Sequence, residues 1–431
     1  MRTTEILDGN RLHTVPHKST IDPEQIKCAF LGTDPSGNFV DVPFDNDLLS
    51  RHILFLGGIG TGKTNAYFQI LNQLRHSLTD DDVMIIFDSK GDFYERFYTP
   101  GDIVISNDDR ATGAFKVDYW NIFREIENDE HMEENIIEIA NALFADKIAK
   151  TNQPFFPSAA KGIFSAILTH QIRTGRSGMN NQALRAFLDR SPTTEIREML
   201  NGYDDFRAMV SYIADDRSPQ TQGVMSELQT TIREIFIGNF KQNGTLSIRN
   251  LVRQKMGRKI FIEYDLAIGS MLTPIYKLMF DMAIKEALSV HKTQGNVWLI
   301  TDEFKLLPNL QHIDDAVNFG RGQGIKLMVG IQNISQIYDA YGEERAKSIL
   351  SGLLTTVCFR VNDEESRTYI KNIHGRNIKM NIYNSVQSKS LAENIRDSYV
   401  VEDWDISRLG LGEAIIGLPG QEPFLFKFNK A

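Results

Sequence analysis

At 431 residues, 42% hydrophobic and 24% charged, the chain has the make-up of an ordinary globular protein with room for two or more domains. Its two cysteines, Cys28 and Cys358, fit neither a metal-ligand spacing nor a disulfide framework, which points to a reducing compartment. A formal charge of -9 argues against a surface coated in nucleic acid, although a basic pore or loop is compatible with that average.

The opening MRTTEILDGNRLHTVPHK lacks the apolar core of a signal peptide. No uncharged apolar run approaches the ~18 residues that cross a bilayer, so the expectation is a cytoplasmic chain. The first strong element is HILFLG from His52, a short, partly β-branched apolar run that reads as a strand. It leads into GIGTGKT, where Gly57, Gly62, Lys63 and Thr64 complete the pattern G-x-x-x-x-G-K-[ST]. The following TNAYFQILNQL puts Ala66, Ile70 and Leu74 on one helical face, so the glycines sit at a strand-to-helix turn. At such a turn backbone N–H groups surround an anion, and the helix N-terminus adds favourable partial charge. The expected ATP-binding set is Gly57, Gly60, Gly62, Lys63, Thr64 and Asn65, with Lys63 on the β and γ phosphates and Thr64 on Mg²⁺.

DVMIIFDSKGD from Asp82 is the next strand, after which the texture changes. Between about Phe123 and Ser247 strand-like runs vanish and helical periodicity takes over. Ile136, Ile139, Ala140, Leu143 and Phe144 form one apolar stripe, and Ala160, Ile163, Phe164, Ile167 and Leu168 form another. The expected organisation is an all-helical insertion, residues 124–247, between two parts of one nucleotide-binding domain, 1–123 and 248–431. Strands then resume with RKIFIEYD from Arg258, NVWLITDEFKLLP from Asn296, IKLMVGIQN from Ile325 and TTVCFRVND from Thr355. Apolar runs ending in polar residues and separated by helical stretches predict an α/β fold with a mostly parallel sheet. Asp302 and Glu303 stand at the C-terminal end of one such run, the edge where open α/β sheets place ligands. Asp302 is placed to hold Mg²⁺ through its water shell, and Glu303 to orient and deprotonate an attacking water. A strand between the P-loop and the Asp302 strand, with a glutamate beside that aspartate, is the layout of RecA-like motor ATPases.

Taken together, these residues resemble the type IV coupling proteins of conjugation and type IV secretion, within the HerA and FtsK class of DNA-pumping ATPases. The likeness runs through HILFLGGIGTGKT, FDSKGDFYERF with Asp88, Lys90 and Gly91, YWNIF at Tyr119–Phe123, and WLITDEFKLLP. It continues through FGRGQGIKLMVGIQNISQIYDAYG at Phe319–Gly342 and LGLGEAIIGLPGQEPFLFKF near the end. The resemblance implies a RecA-like domain with an inserted all-α domain, assembled as a homo-hexamer that hydrolyses ATP at subunit boundaries. By residue matching it implies that Gln332 senses the γ phosphate and that Arg321 is a finger reaching the neighbouring subunit's ATP. The implied partners are single- or double-stranded DNA, a relaxase or other secretion substrate, and components of a type IV secretion channel. Family members usually begin with membrane-spanning helices, whereas this sequence reaches its P-loop with no candidate anchor. Either a separate membrane anchor protein holds the ring at the inner face of the membrane, or the chain is a soluble relative working on DNA elsewhere. The alternatives are a HerA-like helicase or packaging ATPase, and a non-motor protein that binds ATP as an assembly switch.

Overall fold

The computed structural model describes residues 3–107, 118–127, 130–175, 179–289, 295–384 and 391–431. The chain divides into two compact units: Met1–Ile86 with Gln294–Asn309 and Ile313–Ala431, and Phe87–Thr293 with Leu310–His312. In chain order the strands are β1 (Thr3–Asp8), β2 (Cys28–Thr33), β3 (Phe39–Phe44), β4 (Ile53–Leu56), β5 (Val83–Asp88), β6 (Ile103–Ile105) and β7 (Arg258–Glu263). They continue as β8 (Val297–Thr301), β9 (Ile325–Ile331), β10 (Thr355–Cys358), β11 (Arg376–Asn384), β12 (Leu391–Tyr399), β13 (Glu413–Gly417) and β14 (Phe424–Phe428). Five helices matter below: α1 (Lys63–Leu74), α2 (Met132–Lys150), α3 (Phe155–Thr174), α4 (Pro219–Ile235) and α5 (Gly269–Leu288).

In the first unit β3, β2, β14, β13, β10, β4, β9, β8 and β5 lie side by side in that order. The pairs β10–β4, β4–β9 and β9–β8 are parallel. Every residue of β4, β8, β9 and β10 is buried, as parallel strands covered on both faces require. The α/β class expected from the sequence is the one observed.

Past β10 the sheet continues antiparallel through β13, β14, β2 and β3. Phe30 of β2 anchors this wing, with its ring 5.0 Å from those of both Phe44 and Phe428. The strands of residues 28–44 have no counterpart in the expectations drawn from sequence. Neither does a separate antiparallel sheet of β1, β11 and β12. Its strands TTEILD, RNIKMNIYN and LAENIRDSY spread polar residues throughout and so carry no buried apolar run.

In the second unit β6 and β7 pair in parallel. From Asn121 to Gly257 the described residues form helices and no extended strand. The two apolar stripes meet, α2 packing on α3 with the Phe144 and Phe164 rings 5.7 Å apart. Helix α5 packs in turn on α2 and α4, with Lys285 2.7 Å from Glu138 and Lys277 3.3 Å from Asp146. The compact unit is thus wider than residues 124–247, because α5 shares the helical core. The two ends of the helical segment are tied at Glu125, a buried side chain that accepts from Trp120 Nε1, Ser247 Oγ and the Ile248 and Arg249 N–H groups. Cys28 and Cys358 are free and buried. No helix among the described residues is long and apolar enough to cross a membrane.

Candidate active site

Strand β4 delivers the P-loop between β9 and β10, with Leu56 in register with Ile331 on one side and Cys358 on the other. As the chain leaves the sheet, the Gly57 N–H donates to Ile331 O at 3.2 Å and the Gly58 N–H to Arg360 O at 3.0 Å. Gly60 is exposed on the loop, beside Ile59. Gly62 opens α1 with φ at +117°, and a Cβ there would stand 3.1 Å from the Gly412 Cα. Glycine is needed on both counts. Lys63 and Thr64 are the first residues of α1, where helix-end N–H groups and the helix dipole favour an anion.

The Lys63 ammonium is turned back onto the carbonyl oxygens of Gly57 and Gly58, so meeting a phosphate requires it to swing across the loop. Asn65 faces elsewhere. Its amide donates to Asn429 O at 2.8 Å and accepts from the Ala431 N–H at 2.8 Å, which leaves its backbone N–H rather than its side chain for a phosphate.

Asp302 and Glu303 follow β8, each 7% exposed. Register places Thr301 opposite Val329, so Asp302 passes Gly330 of the neighbouring strand. A Cβ on Gly330 would lie 2.5 Å from the Asp302 carbonyl oxygen. Gly330→Ala therefore has to push the acidic strand end away from β9, an overpacking cost of about 1–3 kcal/mol. The expected outcome is a lowered melting temperature together with a loss of nucleotide hydrolysis. A glycine inside the strand run IKLMVGIQN is the available sequence signal for this close approach.

Tyr67 ties the P-loop helix to the same strand end, donating its hydroxyl to Thr301 O at 2.8 Å. Burial, and after it the nearby Asp302 and Glu303 carboxylates, push its phenol well above the usual range, so it remains a donor. Its place on a helical face otherwise reads as plain core.

Strand β9 lies between β4 and β8, and Gln332 comes just after it. Gln332 Nε2 donates to Glu303 Oε2 at 2.8 Å, joining two residues 29 positions apart in sequence. The other carboxylate oxygen, Oε1, is buried with no hydrogen-bond donor among the described residues, and the Lys305 ammonium stands 3.5 Å away. A buried carboxylate fixed through one oxygen, with its other oxygen accepting no hydrogen bond, is suited to taking a proton from water.

The structure brings Gly57, Gly62, Lys63, Thr64, Asp302, Glu303 and Gln332 to the C-terminal ends of adjacent parallel strands. It does not bring Arg321 there. Arg321 lies in the turn Gly320–Gln323 before β9, at the opposite edge of the sheet, and is paired with Asp47. The seven residues of β9 at ~3.3 Å each separate that turn from Gln332 by roughly 23 Å. Beside it Lys326, 1% exposed, donates to Ser50 Oγ at 2.7 Å, and burial draws its ammonium down to about 8. In the second unit Asp88 shapes its own turn, accepting the N–H groups of Lys90, Gly91, Phe93 and Tyr94.

The coupling protein TraD of Escherichia coli (strain K12) is 22% identical over 347 residues, 76% of this chain and 44% of TraD. The chain spans 44% to 50% of the length of the curated relatives it matches. Among solved structures, the bacterial conjugative coupling protein TrwBdeltaN70 superposes with a TM-score of 0.76 at 20% identity, over 98% of this chain and 93% of that one. The plasmid coupling protein TrwB in complex with ADP and Mg²⁺ gives a TM-score of 0.73 at 19% identity, over 99% and 95%. A family model described as the type IV secretion-system coupling protein DNA-binding domain matches residues 37–419. That span holds the P-loop, the acidic strand end and Gln332 on their shared sheet edge, and the chain belongs to this family of type IV secretion-system coupling proteins.

Proposed function

We propose that the chain is an Mg²⁺- and ATP-dependent DNA translocase that delivers a relaxase-bound strand or other secretion substrate to a type IV secretion channel. It works as a homo-hexamer at the cytoplasmic face of the membrane. The observation that carries the reading is Glu303. Its carboxylate is buried at a strand end, gripped on one oxygen by Gln332, while the other oxygen accepts no hydrogen bond among the described residues and lies 3.5 Å from the Lys305 ammonium. A nucleotide-binding switch needs no such base, whereas hydrolysis does. Membership of the coupling protein family and the ADP and Mg²⁺ bound by the related TrwB support the choice of nucleotide and metal.

In this mechanism the loop N–H groups and Lys63 hold the β and γ phosphates, while Thr64 and Asp302 hold Mg²⁺, which neutralises charge developing on the transferred group. Glu303 takes the proton of the attacking water. Gln332 keeps Glu303 in line and senses the γ phosphate. The test is phosphate release by purified protein with Mg²⁺ and ATP, alone and with single-stranded or duplex DNA. The expected result is hydrolysis that DNA stimulates. Nucleotide binding without turnover, under every DNA condition, points instead to an assembly switch.

A further inference from the structure

A cluster of side chains lies outside this site, in a stretch of chain with little structure of its own. Between β1 and the short turn of helix at Pro23–Gln25, the chain forms one isolated bridge, from His13 to Phe424. There the His13 N–H donates to Pro423 O at 2.8 Å and the Leu425 N–H donates to His13 O at 2.8 Å, seating the segment against the β13–β14 turn. The turn carries Glu422. Its Oε1 accepts the Arg11 N–H at 3.0 Å, and its Oε2 lies 2.5 Å from His13 Nε2. His17 brings its own Nε2 to 3.2 Å from the Glu422 backbone oxygen. The two imidazole rings stand 4.4 Å apart, centroid to centroid, at 67°.

Two imidazole nitrogens and a carboxylate oxygen thus converge, all within 4.8 Å of one another, on half-buried side chains. His13 aims Nε2 at the Glu422 carboxylate and His17 aims Nε2 at the Glu422 backbone oxygen, so both imidazole nitrogens turn toward one residue. Metal–ligand bonds of about 2.0–2.2 Å place neighbouring ligand atoms roughly 3.3 Å apart, so the 2.5 Å pair of His13 and Glu422 has to open by roughly 0.8 Å and the wider separations to close by at most about 1.5 Å. The Arg11 N–H bond meanwhile fixes the carboxylate from behind, as outer-shell partners of metal sites do.

We propose that His13, His17 and Glu422 bind one divalent transition-metal ion, zinc by the chemistry of the ligands, and that the ion staples the N-terminal segment to the β13–β14 turn. Imidazole with carboxylate suits zinc, whereas Mg²⁺ prefers oxygen ligands alone, so millimolar Mg²⁺ does not compete. The site is independent of the P-loop and of the function proposed above.

The experiment uses the untagged full chain, stripped with chelator and titrated with zinc chloride in excess Mg²⁺ by calorimetry. The expected result is a single equivalent bound at micromolar affinity or tighter. Tryptic cleavage after Arg11 and Lys18, which flank the ligands, is expected to slow once zinc is present. His13→Ala with His17→Ala is expected to weaken that binding by roughly tenfold or more and to abolish the protection, while Lys63→Ala leaves both unchanged. Should the double variant fold poorly, Glu422→Gln keeps an acceptor for the Arg11 N–H and removes the anionic ligand, with the same expected loss. Zinc binding that survives these substitutions, or that is absent from the native chain, overturns the proposal.

Discussion

Replacing Glu303 by glutamine is expected to leave nucleotide binding within about twofold of the native protein while turnover falls roughly a hundredfold to ten-thousandfold, the range that removal of a positioned base produces. The geometry makes the substitution clean. Gln332 Nε2 donates to one oxygen of Glu303, and a glutamine carbonyl in that place accepts the same bond. The amide keeps the shape and the grip on β9 but has no basic oxygen for the water's proton. Lys63→Ala is expected to behave differently, lowering both affinity and turnover, because in the proposed mechanism the lysine contacts the nucleotide before and during reaction. Fluorescent-nucleotide binding and phosphate release, measured on the same preparations, separate the two patterns. Turnover of Glu303→Gln within about threefold of native removes this residue from the mechanism.

The second large effect concerns Arg321. In one chain it sits at the N-terminal edge of β9, paired with Asp47, while Lys63 and Gln332 sit at the C-terminal edge. A gap of roughly 23 Å along the strand is beyond the reach of any side chain, so a role at the phosphate has to be played across a subunit boundary. There the guanidinium must leave Asp47 for the neighbour's γ phosphate, a planar fork meeting phosphate oxygens. A finger acting in this way contributes on the order of a thousandfold or more to turnover, and Arg321→Ala is expected to lose that much with little change in ATP affinity.

Mixing inactive Arg321→Ala chains with inactive Lys63→Ala chains is expected to restore activity. In an equal mixture about a quarter of the interfaces of a closed ring pair an intact P-loop with an intact finger. Recovery should rise with protein concentration, as assembly demands. Mixed oligomers that stay inactive by phosphate release, or an Arg321→Ala protein that hydrolyses ATP normally, contradict the shared site.

By itself the sequence determined the elements whose chemistry is local. Gly57 to Thr64 are consecutive, and a strand-to-helix turn that cradles an anion is set by glycine conformation, helix-end N–H groups and the periodicity of the flanks. Asp302 and Glu303 were legible for a similar reason, since a buried parallel strand is a continuous apolar run and its polar end marks the ligand edge. The helical stripes of α2 and α3 repeat within a few turns and so declare themselves.

What the tertiary structure decided was which distant pieces meet. Strand β9 enters between β4 and β8, which puts Gln332 against Glu303, makes Gly330 necessary beside Asp302, and sends Arg321 to the far edge. The turn of Tyr67 toward Thr301, the antiparallel wing built from β2, β3, β13 and β14, and the meeting of His13 and His17 with Glu422 were settled at the same level. Periodicity reports which face of a segment is buried. It carries no information about which neighbour lies against that face, because strand order and register come from the packing of side chains far apart in the chain.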